Sequence, residues 1–127
     1  MRFAAVALAT LSAATAGLAT SMSGGDATFY APGLGSCGQF NTEADFIVAV
    51  DIATIQSFPG ATANPNANPM CGRQLLVTGP DGKTVTVTVA DTCPGCAPGS
   101  LDLTPTAFQQ LASLDVGRLH GISWTLL

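Results

Sequence analysis

The chain has 127 residues, with eight acidic side chains against four basic ones, one histidine, four cysteines and a formal net charge of −4. That length holds one compact domain with its own core. A sparse, acidic surface speaks against nucleic acid or an anionic membrane as partner, because both recruit basic patches, and leaves neutral polysaccharide or protein.

Met1-Arg2 supplies a positive charge, residues 3–11 are an apolar run, and small residues follow through Ala14-Thr15-Ala16 to Ala19-Thr20. This is the layout of a secretory signal peptide over residues 1–20, and its apolar run is too short to span a membrane. The expectation is a secreted, extracellular domain over residues 21–127.

Residues 26–30 read as an opening strand, and the turn-rich Ala31-Pro32-Gly33-Leu34-Gly35 delivers Cys37. Residues 46–50 form an apolar run of strand length. Residues 52–58 carry Ile52, Ile55 and Phe58 at helical spacing, and residues 59–69 are a turn-rich connector. A strand over 74–78 meets the hairpin turn Gly79-Pro80-Asp81-Gly82. Residues 83–89 then alternate, with Val85, Val87 and Val89 on one face and threonines on the other, as in a half-buried strand. Thr104 and Pro105 open a helix whose buried stripe is Phe108, Leu111 and Ala112, extended by Leu114, and residues 121–127 close the chain as a strand. Five or six short strands and one good helix predict a mainly β, small closed barrel. Most aromatic side chains fall in strand or helix patterns that read as core, and Tyr30, at the end of the opening strand, is the one good candidate for a cleft.

The four cysteines, Cys37, Cys71, Cys93 and Cys96, are an even number in a chain with a leader, so two disulfides are expected. A zinc site is the competing reading of CxxC plus two thiols, and extracellular oxidation disfavours it. Redox catalysis is also disfavoured, since Cys93-Pro94-Gly95-Cys96 follows a strand rather than opening a helix in a βαβ unit. No metal or cofactor is expected.

The chemistry concentrates where the alternating strand ends. Asp91 stops that strand, the cysteine-clamped loop follows, and Asp102 lies between Leu101 and Leu103. That flanking puts the Asp102 backbone in a wall, with its carboxyl group on the other side. An acid enclosed by apolar neighbours keeps its proton and can give it to a glycosidic oxygen. The alternative is an ionised Asp102 that accepts backbone amides of the adjoining turn or caps the next helix. Glycoside hydrolysis needs a second carboxylate, and residues 27–42 hold no Asp or Glu, which leaves Asp91 as the sequence-near partner. The lone His120 has no nucleophile context that would support a triad.

Gly25-Asp26-Ala27-Thr28-Phe29-Tyr30 is similar to the GxATYY opening of expansins, Ser36-Cys37-Gly38 to their ACG, and Asn68-Pro69-Met70-Cys71-Gly72 to the NPLCG of fungal expansin-like proteins. Residues 87–108 resemble VxVxDxCPGCxxxxLDLSPxAF. The chain thus resembles the fungal single-domain expansin-like proteins, or loosenins, of the RlpA-like, barwin-related kind. The resemblance implies a six-stranded double-psi β-barrel with one or two short helices. It also implies pairing of Cys37 with Cys71 and of Cys93 with Cys96, and a polysaccharide groove lined by Thr28, Tyr30, Asp91 and Asp102. Asp102 matches the acid needed for wall loosening in expansins and the general acid of barrel endoglucanases. The base of those endoglucanases lies just after the opening strand, where this chain has Ala31-Pro32, so the resemblance implies a protein that does not hydrolyse its ligand. Two departures bear on binding strength: Cys93 stands where bacterial expansins have a tyrosine, and the sequence holds no counterpart of the second, β-sandwich domain of full expansins.

Three functional readings follow. The leading one is a secreted monomer that binds and loosens cell-wall polysaccharide (cellulose or another glucan, chitin or peptidoglycan) without net hydrolysis. The second is a lytic transglycosylase or related glycan-cleaving enzyme using Asp102 as acid. The third is a protein-binding module, a protease inhibitor or effector, that contacts its target through loops such as residues 59–69.

Overall fold

The computed structural model describes residues 20–127. The expected leader lies outside the described residues except for Thr20, whose carbonyl accepts a bond from the Leu126 amide at 2.8 Å. In chain order the elements are β1 (Ser21–Phe29), β2 (Ile47–Asp51), α1 (Ile52–Gln56), β3 (Gln74–Thr78), β4 (Thr84–Cys93), β5 (Leu101–Leu103), α2 (Pro105–Phe108) and β6 (Leu119–Leu126). The strands close into a barrel in the order β1-β5-β2-β4-β3-β6. This is the mainly β, six-stranded barrel that the resemblance implies. Closure leaves no free edge among the six strands, so every strand buries one face against the same core.

The alternation in the sequence sets which face that is. Val85, Val87 and Val89 of β4 point inward, as do Val48 and Val50 of β2, Leu75 and Val77 of β3, and Leu101 and Leu103 of β5. Trp124 and Ile122 of β6 and Phe108 of α2 complete the core. Phe108 meets Phe29 edge to face, with ring centroids 4.9 Å apart. Trp124 fills the centre so tightly that its indole N–H has no partner among the described residues.

Several local readings shift. β1 begins at Ser21 rather than Asp26, because its first half pairs antiparallel with β6 from Ser21↔Thr125 onward. Likewise β6 spans Leu119–Leu126. The aromatics are less uniformly core than their pattern implies: Phe40 is 76% exposed and Phe46 41%. Thr104 precedes α2, but its hydroxyl does not cap the helix. It donates instead to the carbonyl of Asp45, tying the 41–46 loop to β5 and α2. α2 is a single turn, and Leu111 is buried just beyond its end.

Both expected bridges are present, Cys37–Cys71 and Cys93–Cys96, and no cysteine is free among the described residues. Two disulfides are the chemistry of an oxidising compartment. The first fastens the 31–41 loop to the segment before β3, and the second closes a tight loop after β4. Asp51 is wholly buried between α1 and this second loop. Its carboxylate accepts the Thr54 amide at 2.8 Å, capping α1, and the Gly99 amide at 3.0 Å.

Candidate functional site

The site forms on the outer face of the barrel where four strands line up. The β1–β5 register pairs Thr28 with Asp102, the β2–β5 register pairs Asp102 with Ala49, and the β2–β4 register pairs Ala49 with Asp91. Directly paired residues point to the same side of a sheet, so Thr28, Asp102, Ala49 and Asp91 make one row across the surface. Asp91 and Asp102 stand two strands apart, about 10 Å between backbones. The small Ala49 between them keeps the row low.

Asp91 reaches this face only because β4 is irregular. Val48 pairs with Val89 but Ala49 pairs with Asp91, so Ala90 is an extra residue on β4. Strict alternation from Val85, Val87 and Val89 would aim Asp91 into the core. The extra residue reverses it. Gly35 helps to hold the carboxylate: a Cβ there would run into the Ala90 carbonyl, so the 31–41 loop lies flat on β4. That approach lets the Ser36 amide donate to Asp91 Oδ1 at 2.9 Å, beside the Thr92 amide at 2.8 Å. The Tyr30 hydroxyl donates to Asp91 Oδ2 at 3.1 Å. Burial, the Asp91 charge and that hydrogen bond push the Tyr30 phenol far up, so it keeps its proton and acts as a donor.

The Asp102 side chain is half-buried. Leu101 and Leu103 on either side are wholly inside, as their flanking of the acid implies. The Thr28 hydroxyl donates to Asp102 Oδ1 at 3.1 Å, and no described residue bonds Oδ2. Burial raises the Asp102 carboxyl above the ordinary carboxylate range; the Asp91 charge adds to the rise, while Thr28 and Arg118 oppose it. Among the described residues no backbone amide donates to the Asp102 carboxyl, so the turn-amide and helix-capping contacts of the alternative reading are not formed.

β1 and the residue that follows it supply three side chains at alternate positions, Asp26, Thr28 and Tyr30, each bonded to a different part of the barrel. Thr28 meets β5 and Tyr30 meets β4. Asp26 Oδ1 lies 2.9 Å from His120 Nδ1, and the Arg118 guanidinium donates to Oδ2 at 3.2 Å. The hydrogen bond with His120 and the Arg118 charge outweigh partial burial and hold the Asp26 carboxyl below its ordinary value. Asp26, Thr28, Ser100, Asp102 and Arg118 together with the Cys93–Cys96 loop line one cleft of about 290 Å³.

Sequence reasoning named Thr28, Tyr30, Asp91 and Asp102; Thr28, Asp102 and Asp91 share the row, and Tyr30 is bonded to Asp91. It gave no site role to Asp26 or Arg118 and weighed His120 only as a triad member; Arg118 and His120 lie 92 and 94 residues from Asp26 in the chain. The available signal was the period of two from Asp26 to Thr28 to Tyr30. Among the described residues no group of His, Cys, Asp and Glu is arranged to hold a metal ion.

A double-psi β-barrel profile described as lytic transglycolase matches residues 56–121. The papain inhibitor of Streptomyces mobaraensis is 37% identical over 101 residues, covering 79% of this chain and 68% of that protein. A solved Streptomyces papain inhibitor superposes with a TM-score of 0.74 at 35% identity, over 85% of this chain and 94% of the other. An expansin of Clavibacter michiganensis, solved in complex with cellohexaose, superposes with a TM-score of 0.66 at 32% identity, over 85% of this chain and 50% of the other. An Arthroderma benhamiae protein described as an allergen homologue is 34% identical over 114 residues, and this chain spans 37% of its length.

Proposed function

The chain belongs to the RlpA-like double-psi β-barrel family, and from that premise we propose that its outer row of Thr28, Asp102, Ala49 and Asp91 is the floor of a groove that binds a cell-wall polysaccharide chain and loosens its packing. The observation that carries this reading is the continuity of the row: two acids, a threonine and the Tyr30 hydroxyl lie on one surface with nothing larger than alanine between the acids. A glycan strand laid there meets a carboxyl group on either side of Ala49. The Asp102 carboxyl and the Thr28 and Tyr30 hydroxyls give the floor polar groups that compete for the hydrogen bonds by which neighbouring glycan chains hold each other. The expansin relative solved with cellohexaose supports the ligand class. The two disulfides, which suit an oxidising compartment, support this reading.

Retention on insoluble cellulose and chitin tests the reading. The wild-type protein is retained and swells the material, and Asp102→Asn is folded but loosens nothing. Equal activity in Asp102→Asn refutes the assignment of Asp102.

A second reading, a protein-binding module, is favoured by a specific feature. Leu34 and Phe40 pair across the 31–41 loop and are 71% and 76% exposed. The Cys37–Cys71 bridge holds that loop rigid, as suits an apolar protrusion that enters a partner's cleft. The similarity to papain inhibitors points the same way. Inhibition of papain by the purified domain, lost in Phe40→Ala, is the outcome this reading requires.

A further inference from the structure

The side of the barrel that faces away from the groove carries a second ordered surface. The groove crosses β1, β5, β2 and β4, and closure leaves β4, β3, β6 and β1 for the other side, with β1 and β4 giving one end to each. There the registers pair Thr84 with Thr78, Thr78 with Ser123 and Ser123 with Ser23. The next row pairs Thr86 with Leu76, Leu76 with Thr125 and Thr125 with Ser21. Val85, Val87, Leu75, Val77, Ile122 and Trp124, which alternate with these residues, are buried, so both rows point outward. Every member except Leu76 bears a hydroxyl, and Ser21, Ser23, Thr84, Thr86 and Thr125 are exposed. The hydroxyls of Thr28, Thr104 and Thr106 are bonded within the protein, whereas those of the two rows have no partner among the described residues. Strands stand about 4.8 Å apart and alternate residues about 6.8 Å, so each row runs about 14 Å across the sheet.

We infer that this face docks on the packed surface of an uncharged polysaccharide, a glucan or chitin, while the groove on the opposite side holds a separate chain. One molecule then sits between two glycan chains and keeps them apart by the width of the barrel.

The chemistry of the face fits that partner. Neither row contains a charged side chain. Asp81 and Lys83 pair with each other in the hairpin at one end, and Arg73 donates to the Leu127 carbonyl at the other. A neutral, polyhydroxylated surface therefore docks without stripping water from an ion. Each hydroxyl offers one donor and two acceptor positions, so it suits a sugar hydroxyl in either orientation. Threonine is stiff about its first torsion and the closed sheet fixes the backbone, so little freedom is lost on docking. Strand propensity favours threonine, but it accounts neither for Ser21, Ser23 and Ser123 nor for the lack of Lys and Glu, the usual solvent-facing residues. A protein partner is a poorer match. Protein interfaces are rich in aromatic residues, Met and Arg and poor in serine, and the two rows hold none of the first three.

The proposal rests on the groove for its second chain, and one set of measurements separates the two. The leader-free protein is compared with Thr86→Glu/Thr125→Glu and with Thr86→Lys/Thr125→Lys. Each is mixed with washed nanocrystals of cellulose and of chitin; clustering is followed by light scattering and retention by sedimentation. Calorimetry with the soluble β-1,4-linked hexamers of glucose and of N-acetylglucosamine reads the groove. The wild-type protein should cluster the crystals and stay on them when hexamer saturates the groove. Both variants should bind hexamer as the wild type does and cluster nothing. Their retention at saturating hexamer should fall at least about tenfold, because a charge of either sign is buried there without a partner. The lysine pair keeps the test in hand if the glutamate pair does not fold, as circular dichroism reports. Complete displacement of the wild type by hexamer, clustering by a folded variant, opposite effects of the two charges, or a wild-type dimer that the variants split overturns the second face. Failure of hexamer to bind, with retention still lost in both variants, overturns the groove and supports the face.

Discussion

Removing the two disulfides one at a time separates what stabilises the barrel from what shapes the cleft. The Cys37–Cys71 bridge spans 34 residues and the Cys93–Cys96 bridge spans 3. In the chain-entropy account, a cross-link restricts the unfolded chain by an amount that grows with the logarithm of that span. Its expression gives about 4 kcal/mol for the first bridge and about 1.6 kcal/mol for the second at 25 °C. Unfolding entropy of about 2.1 cal/mol/K per residue, taken over residues 20–127, converts each kcal/mol into about 4 °C of thermal midpoint. Cys37→Ser with Cys71→Ser should therefore lower the midpoint by about 16 °C, and Cys93→Ser with Cys96→Ser by about 7 °C. None of the four residues is fully buried, so the serines introduce no buried unpaired hydroxyl. Calorimetry reads both shifts. Polysaccharide retention should reverse the order, because the Cys93–Cys96 loop walls the Asp102 cleft and the other bridge does not touch it. Equal midpoint shifts, or a larger one for the short loop, would refute the chain-entropy reasoning. Unchanged retention in the short-loop variant would refute the place given to that wall.

Asp102 links pH to stability with a definite sign. Its carboxyl is raised in the folded state, so the folded protein holds a proton that the unfolded chain has released, and stability falls as pH rises from about 3.8 through the folded value. Asp102→Asn removes that penalty: its midpoint should equal or exceed wild type at pH 7, with the difference gone at pH 3, and a clear loss of stability at pH 7 would contradict it. Phe108→Ala empties a wholly buried site and should cost about 3–5 kcal/mol in urea unfolding; a loss under 1 kcal/mol would mean the core closes differently. Deleting Ala90 restores strict alternation and drives Asp91 into the core, so no folded protein should be recovered; a folded deletion variant with a wild-type melting curve would refute the role of the extra residue. Gly25→Ala places a methyl group against the Gly99 carbonyl and should destabilise by roughly 2 kcal/mol or more, read by circular dichroism on heating.

Much of the fold was legible because its signals are local. The valines of β4 and the Leu101-Asp102-Leu103 triplet each declare an inner and an outer face through a period of two, and Asp-Gly marks the β3–β4 turn. α2 was read as too long because Phe108 and Leu111 are buried by the barrel end whether or not the helix continues between them. Thr104 holds the position of a cap, yet its hydroxyl is turned to donate to the Asp45 carbonyl and accepts no amide of the helix. Phe40 and Phe46 looked like core because composition alone cannot report that the loop carrying them lies outside the barrel.

By itself, then, the sequence determined the strands, their buried faces and the family to which they belong, and it pointed to Thr28, Tyr30, Asp91 and Asp102 as candidates. Tertiary structure alone decided that Thr28, Asp102 and Asp91 form one row, with Tyr30 bonded to Asp91. Asp91 faces outward only because β2 pairs in parallel with β4 across an extra residue, and pairing register is a property of two distant strands, not of either one. Asp26 enters the same cleft only because barrel closure sets β1 beside β6, bringing Arg118 and His120 to its carboxylate from the far end of the chain. Alternation is written into neighbouring residues, whereas the meeting of charges across a closed sheet exists only once the sheet has closed.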